Sequence, residues 1–574
     1  MITLDFNRLK KNLKNDFSQL PVHRVVLVAD SASQMLAVAI KGYGYSRGIN
    51  FDIKEADYDQ VYQTVMDEHS VVYTHTPAYI IIFQSAEKSI TTFYQLNTEA
   101  KKQFAAAQLL AVEKLVDTIN TRLTCNIIYL NQAEINDAVF GNFSNKTPAA
   151  FLFQQRMINT GLMQLATQKK NLNIGDLAAI QNQVGRELFC SPKFYTTTSN
   201  VLSVEVLPAV AKSITDIMLA YLGDFKKCLI LDLDNTLWGG IIGDDGMEGI
   251  EIGDLGIGKA FTRFQQWIKQ LKERGIILAV CSKNTGHIAK EPFEKHPDMI
   301  LRMDDLAIFV ANWNNKADNI RHIQSVLNIG FNSMVFLDDS PFEREMVKKE
   351  IPEITVPDLP EDPAEYLAFL SHQNLFETTS FTEEDTQRNQ QYREEAARSV
   401  MQQAYTDEAS FLQSLQMTAN CKPIDKFSLP RAAQLTQRSN QFNLRTIRYT
   451  EAQVKAILDD KDQFSITISL KDKFGDYGLV SLVIAKKINE TDLFIDTWIM
   501  SCRVLKRNVE QLVLNEIVTL AVQHNINQII GEYIATQKND LVKDHYEKLG
   551  FTKEKEQWML QVKNYTASQT YINK

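Results

Sequence analysis

Two carboxylates pose the first chemical question. Asp232 and Asp234 sit two residues apart in Leu229-Ile230-Leu231-Asp232-Leu233-Asp234-Asn235-Thr236-Leu237. The apolar run before them reads as a buried strand of a parallel sheet. Residues i and i+2 of a strand share a face, so both carboxylates leave together at its C-terminal end. That edge is where open α/β sheets hold ligands. Adjacent carboxylates repel. A pair persists where a divalent cation binds or where acid and base work is divided between two groups. A bare Asp-x-Asp is equally well a strand end turning into a polar loop.

Three later segments decide between these readings. Ile276-Ile277-Leu278-Ala279-Val280-Cys281 is a second apolar strand, ending at Ser282-Lys283-Asn284. Lys316 stands just before a helix-like stretch, and Ser333-Met334-Val335-Phe336-Leu337 is a third strand ending at Asp338-Asp339. Nucleophile, hydroxyl, lysine and acidic pair thus come in order. That order resembles the four motifs of the haloacid dehalogenase (HAD) phosphotransferase superfamily. The resemblance implies that Asp232 attacks phosphorus as a carboxylate nucleophile. Asp234 would protonate the leaving oxygen and then activate water. Asn235, Thr236, Ser282, Lys283 and Asn284 would bind phosphate, and Lys316 would neutralise charge on the transferring group. It also implies Mg²⁺, held by Asp232, the backbone carbonyl of Asp234 and one of Asp338 and Asp339. Asp339 is favoured as the direct ligand, with Asp338 as its support. Mg²⁺ keeps several waters, so one or two carboxylates plus the phosphate suffice.

The chain that carries these motifs has 574 residues, too many for one core and enough for about three or four domains. A 44% hydrophobic and 23% charged composition is ordinary for a globular protein. With a net charge of −9 and no basic run, nucleic acid is an unexpected partner. No apolar stretch is long enough to span a bilayer, and the first residues do not read as a signal peptide. Six scattered cysteines without a Cys-x-x-Cys pair point to reduced thiols in a cytoplasm.

Four segments follow. Residues 1–222 alternate apolar strands (Val25–Ala29, Tyr79–Phe83, Asn126–Leu130) with helical patterns, as βαβ units do. Residues 223–363 hold the motifs. Between the first two motifs, Trp238-Gly239-Gly240-Ile241-Ile242-Gly243-Asp244-Asp245-Gly246 reads as a turn or flap too short for a cap domain. Residues 364–403 are charged and read as a helical connector. In residues 404–574, Leu479–Ile484 and Leu493–Met500 read as paired antiparallel strands. A helix then begins near Asn508, with Val509, Leu512, Val513, Ile517 and Leu520 on one face.

The outer segments carry resemblances of their own. Asp30-Ser31-Ala32-Ser33 after a strand is similar to the nucleophile block of SGNH hydrolases. None of His23, His69 and His75 lies where that family supplies its base, so this domain is expected to be SGNH-like in fold, inactive as a hydrolase, and a docking surface. Trp498-Ile499-Met500-Ser501-Cys502-Arg503 with the following helix resembles the GNAT acyltransferase fold. Lys506 and Asn508 stand where glycines would let backbone amides cradle coenzyme A pyrophosphate, so a phosphopantetheine arm is the expected ligand rather than free coenzyme A.

The pairing of a capless HAD segment with the Met500-Ser501-Cys502-Arg503-Val504 segment resembles the FkbH-like family, as does Ala433–Leu444 with its Asn440 and Asn443. The fold expectation is therefore multidomain α/β: an SGNH-like flavodoxin-type domain, a capless HAD Rossmann-like parallel sheet and an α+β GNAT-like domain. The functional implication is transfer of a glyceryl unit from 1,3-bisphosphoglycerate to the thiol of an acyl carrier protein, in polyketide-like assembly. Cys502, beside the cation Arg503, is the candidate thiolate, with Cys281 behind it. A lone cysteine is otherwise a small buried hydrophobe. Arg503 suits a phosphate or carboxylate. Two other readings stand beside this one: a plain phosphatase of small or carrier-bound phosphomonoesters, and a non-catalytic scaffold. The oligomeric state is not legible.

Overall fold

The computed structural model describes residues 5–574 except 403, 404, 406, 440 and 537. The chain divides into two compact units, one up to residue 220 and one from residue 221 onward.

The first unit is built on a parallel sheet in the order β2-β1-β3-β4-β5. Its strands are β1 (Val22–Ala29), β2 (Asn50–Glu55), β3 (Tyr79–Phe83), β4 (Asn126–Leu130) and β5 (Leu172–Gly175). β3 reads Tyr-Ile-Ile-Ile-Phe without alternation and is buried at every position. That is the pattern of a strand covered on both faces, as βαβ crossovers require. The helices Phe104–Arg122 and Phe151–Gln168 contribute Leu115, Ile119, Ile158 and Leu162 to its core.

The second unit contains two sheets. The first is parallel, in the order β8-β7-β6-β9, with β6 (Cys228–Leu231), β7 (Ile277–Ser282), β8 (Ile308–Ala311) and β9 (Met334–Leu337). Strand order reverses at β6, which makes its C-terminal edge the topological switch point. Leu231 pairs with Leu337 on one side and with Val280 on the other. Asp232 and Asp338 therefore leave neighbouring strands side by side. The glycine-rich stretch after β6 forms a short helix, Ile242–Gly249, broken at Gly246 where φ is 68°. Only this helix and the crossover helix Gly258–Glu273 lie between β6 and β7.

The second sheet is mixed, in the order β15-β16-β14-β13-β12-β11-β10-β17. Its strands are β10 (Met417–Lys422), β11 (Gln463–Lys471), β12 (Asp476–Lys487), β13 (Asp492–Met500), β14 (Gln528–Glu532), β15 (Thr552–Glu554), β16 (Gln557–Gln561) and β17 (Ile572–Asn573). β12 and β13 pair antiparallel, as their alternation predicts. β13 and β14 pair in parallel only from Asp492 to Phe494. The helix Val509–Gln523 buries Val509, Leu512, Val513 and Ile517, the face predicted from the sequence. The molecule is thus the multidomain α/β protein its patterning implies.

The connector is a packed wall rather than a linker. The helix Arg388–Gln402 sets Tyr392 into the core behind the parallel sheet. Asn389 Nδ2 donates to the Asp305 carbonyl at 2.6 Å. From the same helix, Arg398 reaches the turn after β11. Its guanidinium, 1% exposed, donates from Nε and Nη2 to the two carboxylate oxygens of Asp472 at 2.7 and 2.8 Å. A buried fork of this kind is specific in geometry, and removing one member strands the other charge out of water. Arg398→Ala is expected to destabilise the full chain by about 3 kcal/mol or more, read as a shift in chemical denaturation.

Candidate functional site

The site assembles at the C-terminal edge of the parallel sheet. After β6 the chain makes one helical turn, with Thr236 N and Leu237 N donating to the Leu233 carbonyl at 3.1 and 2.7 Å. Asn235 adopts φ 52° there, a left-handed conformation that asparagine tolerates better than most residues. This turn holds Asp232 and Asp234 at one edge.

Asp232 is 6% exposed and Lys316 3%. The Lys316 ammonium lies 3.0 Å from Asp232 Oδ2 and 2.6 Å from Asp338 Oδ2. Burial opposes the charge on Lys316, but the two carboxylates outweigh it and hold its pKa above the lysine range. Burial raises the pKa of Asp232. Lys316 pulls it back and Asp338 adds to it. Asp338 and Asp339 are raised too, each chiefly by burial. One oxygen from each of Asp232, Asp338 and Asp339 lies within 4.8 Å of the others. Asp232 Oδ1 is buried without a hydrogen-bond partner. Three hard oxygen donors, one an orphaned carboxylate oxygen, fit the all-oxygen preference of Mg²⁺.

Asp234 is oriented by three donors. Trp238 Nε1 and the Ile242 amide reach its Oδ1 at 3.0 Å each, and Asn284 Nδ2 reaches its Oδ2 at 2.7 Å. Asn284, expected on phosphate, is therefore engaged in holding Asp234. Thr236 departs from expectation in the same way. It is fully buried, and its hydroxyl takes the Asp339 amide at 3.2 Å and lies 3.5 Å from Asp339 Oδ1. It positions the acidic pair rather than facing a substrate. Asn235 Oδ1 accepts the Gly240 amide at 3.0 Å, tying down the flap. Ser282 ends β7, 2% exposed, at the same edge. Lys283 is paired with Glu343 at 2.6 Å.

Arg344 escaped the sequence reading. Its Nη1 donates to the carbonyls of Asp338 and Asp339 at 2.8 and 2.7 Å, clamping the acidic turn. An arginine inside the polar helix Pro341–Glu350 gives no sequence signal of that role.

The other candidates lie elsewhere. Cys281 is fully buried inside β7, and burial raises its thiol pKa, against a nucleophilic role. The Cys502 side chain and Asn440 lie outside the described residues. Arg503 is 6% exposed; it donates to Gln391 Oε1, to the Tyr477 carbonyl at 3.2 Å and to Ser501 Oγ at 3.3 Å. Asn443, fully buried, accepts the Thr446 amide at 2.8 Å and fixes its own loop. Lys506 and Asn508 both take left-handed φ, 62° and 60°. The turn thus keeps a glycine-like backbone without glycine. Burial at the start of the following helix raises the pKa of the Glu510 carboxyl.

In the first unit, Asp30 and Ser31 are buried at the C-terminal end of β1. The Ser85 amide donates to Asp30 Oδ2 at 2.8 Å. His23 lies at the start of β1, and His75 contacts the Asp52 carbonyl beside Arg24, both at the opposite sheet end. His69 is exposed on a loop. Among the described residues no helix is long and apolar enough to cross a membrane.

Comparison with known proteins places this geometry in context. The sequence profile of "FkbH, N-terminal domain" matches residues 24–219. The crystal structure of the N-terminal part of the protein BF1531 from Bacteroides fragilis, containing a phosphatase domain complexed with Mg, is 47% identical. It matches over 66% of this chain and 100% of that chain, with a TM-score of 0.64. The ribosomal-protein-S18-alanine N-acetyltransferase from Escherichia coli matches at 11% identity over 26% of this chain and 99% of that one, TM-score 0.21. The spermidine N-acetyltransferase from Vibrio cholerae, in complex with CoA and spermine, matches at 13% over 26% and 98%, TM-score 0.21. No curated protein matches.

The raised carboxylates carry a pH signature. A group whose folded pKa exceeds its unfolded value binds more protons when folded, so stability falls as pH rises from the ordinary carboxylate value of about 4. Metal-free protein is therefore expected to lose stability as pH rises from about 4 to about 6 through Asp232, with Asp338 and Asp339 acting in the same direction. Added Mg²⁺ should raise Tm more at the upper pH than at the lower. Equal shifts at both, or none, would count against a metal on these three carboxylates.

Proposed function

Because the chain belongs to the FkbH-like family, we propose that it couples Mg²⁺-dependent phosphoryl chemistry at Asp232 to acyl transfer onto a carrier protein. The acyl unit is a glyceryl or similar group from an acyl phosphate such as 1,3-bisphosphoglycerate, and the acceptor is the phosphopantetheine thiol of an acyl carrier protein. The observation that carries the reading is the buried Asp232–Lys316–Asp338 triad with Asp339 and Asp234 at the same edge.

The phosphoryl half follows from that geometry. An Asp232 oxygen attacks phosphorus, and the bond from phosphorus to the leaving oxygen breaks. Asp234, held by Trp238, Ile242 and Asn284, gives that oxygen a proton. Water then attacks the aspartyl phosphate, Asp234 takes its proton, and inorganic phosphate leaves with Asp232 restored. Lys316 neutralises charge on the transferring group. Asp232, the Asp234 carbonyl and Asp339 would hold Mg²⁺, which supplies further charge neutralisation on the phosphate oxygens. In the acyl half, a thiolate attacks the carbonyl carbon of the acyl phosphate, forming a thioester and releasing phosphate. Lys506 and Asn508, side-chain-bearing residues at left-handed positions before the helix Val509–Gln523, hinder the close backbone approach that the pyrophosphate of free coenzyme A would need, which supports a carrier-borne arm.

Intact-mass spectrometry tests the whole reading. Phosphopantetheinylated carrier proteins are incubated with the full chain, Mg²⁺ and 1,3-bisphosphoglycerate. A glyceryl mass gain is expected, and Asp232→Asn is expected to cut phosphate release from the phosphomonoester by at least about a thousandfold. Phosphate release dependent on Asp232 with no carrier gaining mass would reduce the function to that of a plain phosphatase.

A further inference from the structure

The strands β13 and β14 part soon after they meet. They pair only from Asp492 to Phe494, while β13 runs on to Met500. A distant piece of the chain, Phe442-Asn443-Leu444, fills the gap and lies antiparallel to β13 at Ile499. Met500 N donates to the Phe442 carbonyl at 3.2 Å, and Leu444 N donates to the Trp498 carbonyl at 3.3 Å. On the other side, Ile534 N donates to the Leu444 carbonyl at 2.9 Å. The buried Asn539 gives its Nδ2 to the Asn443 carbonyl at 2.9 Å. Arg445 spans the two parting strands. Its Nε donates to Glu532 Oε2 of β14 at 2.6 Å and its Nη1 to Asp496 Oδ1 of β13 at 2.7 Å. The segment is a wedge strand, pairing backbone groups that would otherwise form an open edge.

Strain and unmet hydrogen bonds gather around this wedge. Thr446, which ends it, has φ 55°, where a β-branched side chain is strained. Its buried hydroxyl has no hydrogen-bond partner. Behind the wedge, the ring centroid of Phe442 lies 4.9 Å from that of His545, which lies 4.5 Å from that of Trp498. Trp498 Nε1 and His545 Nε2 are also buried without hydrogen-bond partners. The two backbone bonds to β13 are longer than the usual ~2.9 Å. What holds the wedge in place is the burial of Phe442 and Leu444 together with the Arg445 fork. A strained strand held by few backbone bonds, with unsatisfied neighbours, is the kind of segment that opens locally before the rest of a fold.

We propose that residues 442–446 form a built-in gate. In the closed state this resident strand fills the slot between β13 and β14. In a minor open state it leaves the slot, exposing the edge of β13 and the unpaired nitrogens of Trp498 and His545. The gate rests on these contacts alone. Only the identity of what it admits, the thiol arm of the carrier protein, rests on the acyl-transfer reading.

Hydrogen–deuterium exchange of the full chain, followed by mass spectrometry under native conditions, tests the gate. Peptides covering residues 442–446 are expected to exchange at least about a hundredfold faster than those covering residues 479–484 of β12. Arg445→Gln, which unties the wedge from both strands, should speed that exchange roughly tenfold. Thr446→Asn, which suits left-handed φ better, should slow it a few-fold. Neither substitution should change exchange in β12. In the intact-mass assay, Arg445→Gln should acylate the carrier several-fold faster than the unsubstituted chain, with phosphate release unchanged. Equal protection of the wedge and β12 would overturn the gate, as would wedge exchange untouched by both substitutions. The segment would then be a permanent strand of the sheet. Faster wedge exchange in Arg445→Gln without faster acylation would reject the carrier arm as what the gate admits.

Discussion

One ammonium group holds the phosphoryl site together. Lys316 places a positive charge between two carboxylates that the parallel register forces side by side, 3.0 and 2.6 Å away. Without it Asp232 and Asp338 would be buried, adjacent and uncompensated, a condition that protonates one of them. With it, both stay within reach of the charged form that a nucleophile and a metal ligand need. The surrounding bonds then become intelligible. Arg344 grips the carbonyls of Asp338 and Asp339, Thr236 takes the Asp339 amide, and Asn284 with Trp238 fixes Asp234. Each holds a carboxylate that like-charge repulsion would otherwise displace.

Most of the scaffold was legible because its signals are local. Uninterrupted apolar runs marked β3, β6, β7 and β9 as strands buried on both faces, and the spacing of Val509, Leu512, Val513 and Ile517 marked a helix. The strand ends then located the carboxylates without further information. What stayed hidden depends on partners distant in sequence. Thr236 and Asn284 have the chemistry of phosphate donors, and nothing in the sequence shows that Asp339 and Asp234 engage them first. Arg344 reads as one more charge on a polar helix.

The C-terminal half holds a turn that takes left-handed backbone without glycine. Lys506 and Asn508 keep left-handed φ in the turn before the helix Val509–Gln523, where glycine would bear less strain. Burial raises the pKa of the Glu510 carboxyl that follows this turn.

The short strand β6 holds apart two charged ends of the parallel sheet. Lys227 precedes it and Asp232 follows it, about 17 Å apart along an extended chain. The residues between them, Cys228 to Leu231, are fully buried, so no channel runs along the strand. A product released at the Asp232 edge therefore cannot pass along this strand and would be diluted into bulk solvent. One held on a flexible tether would stay at high effective concentration, which makes the length of the tether the quantity that sets how efficiently successive steps follow one another.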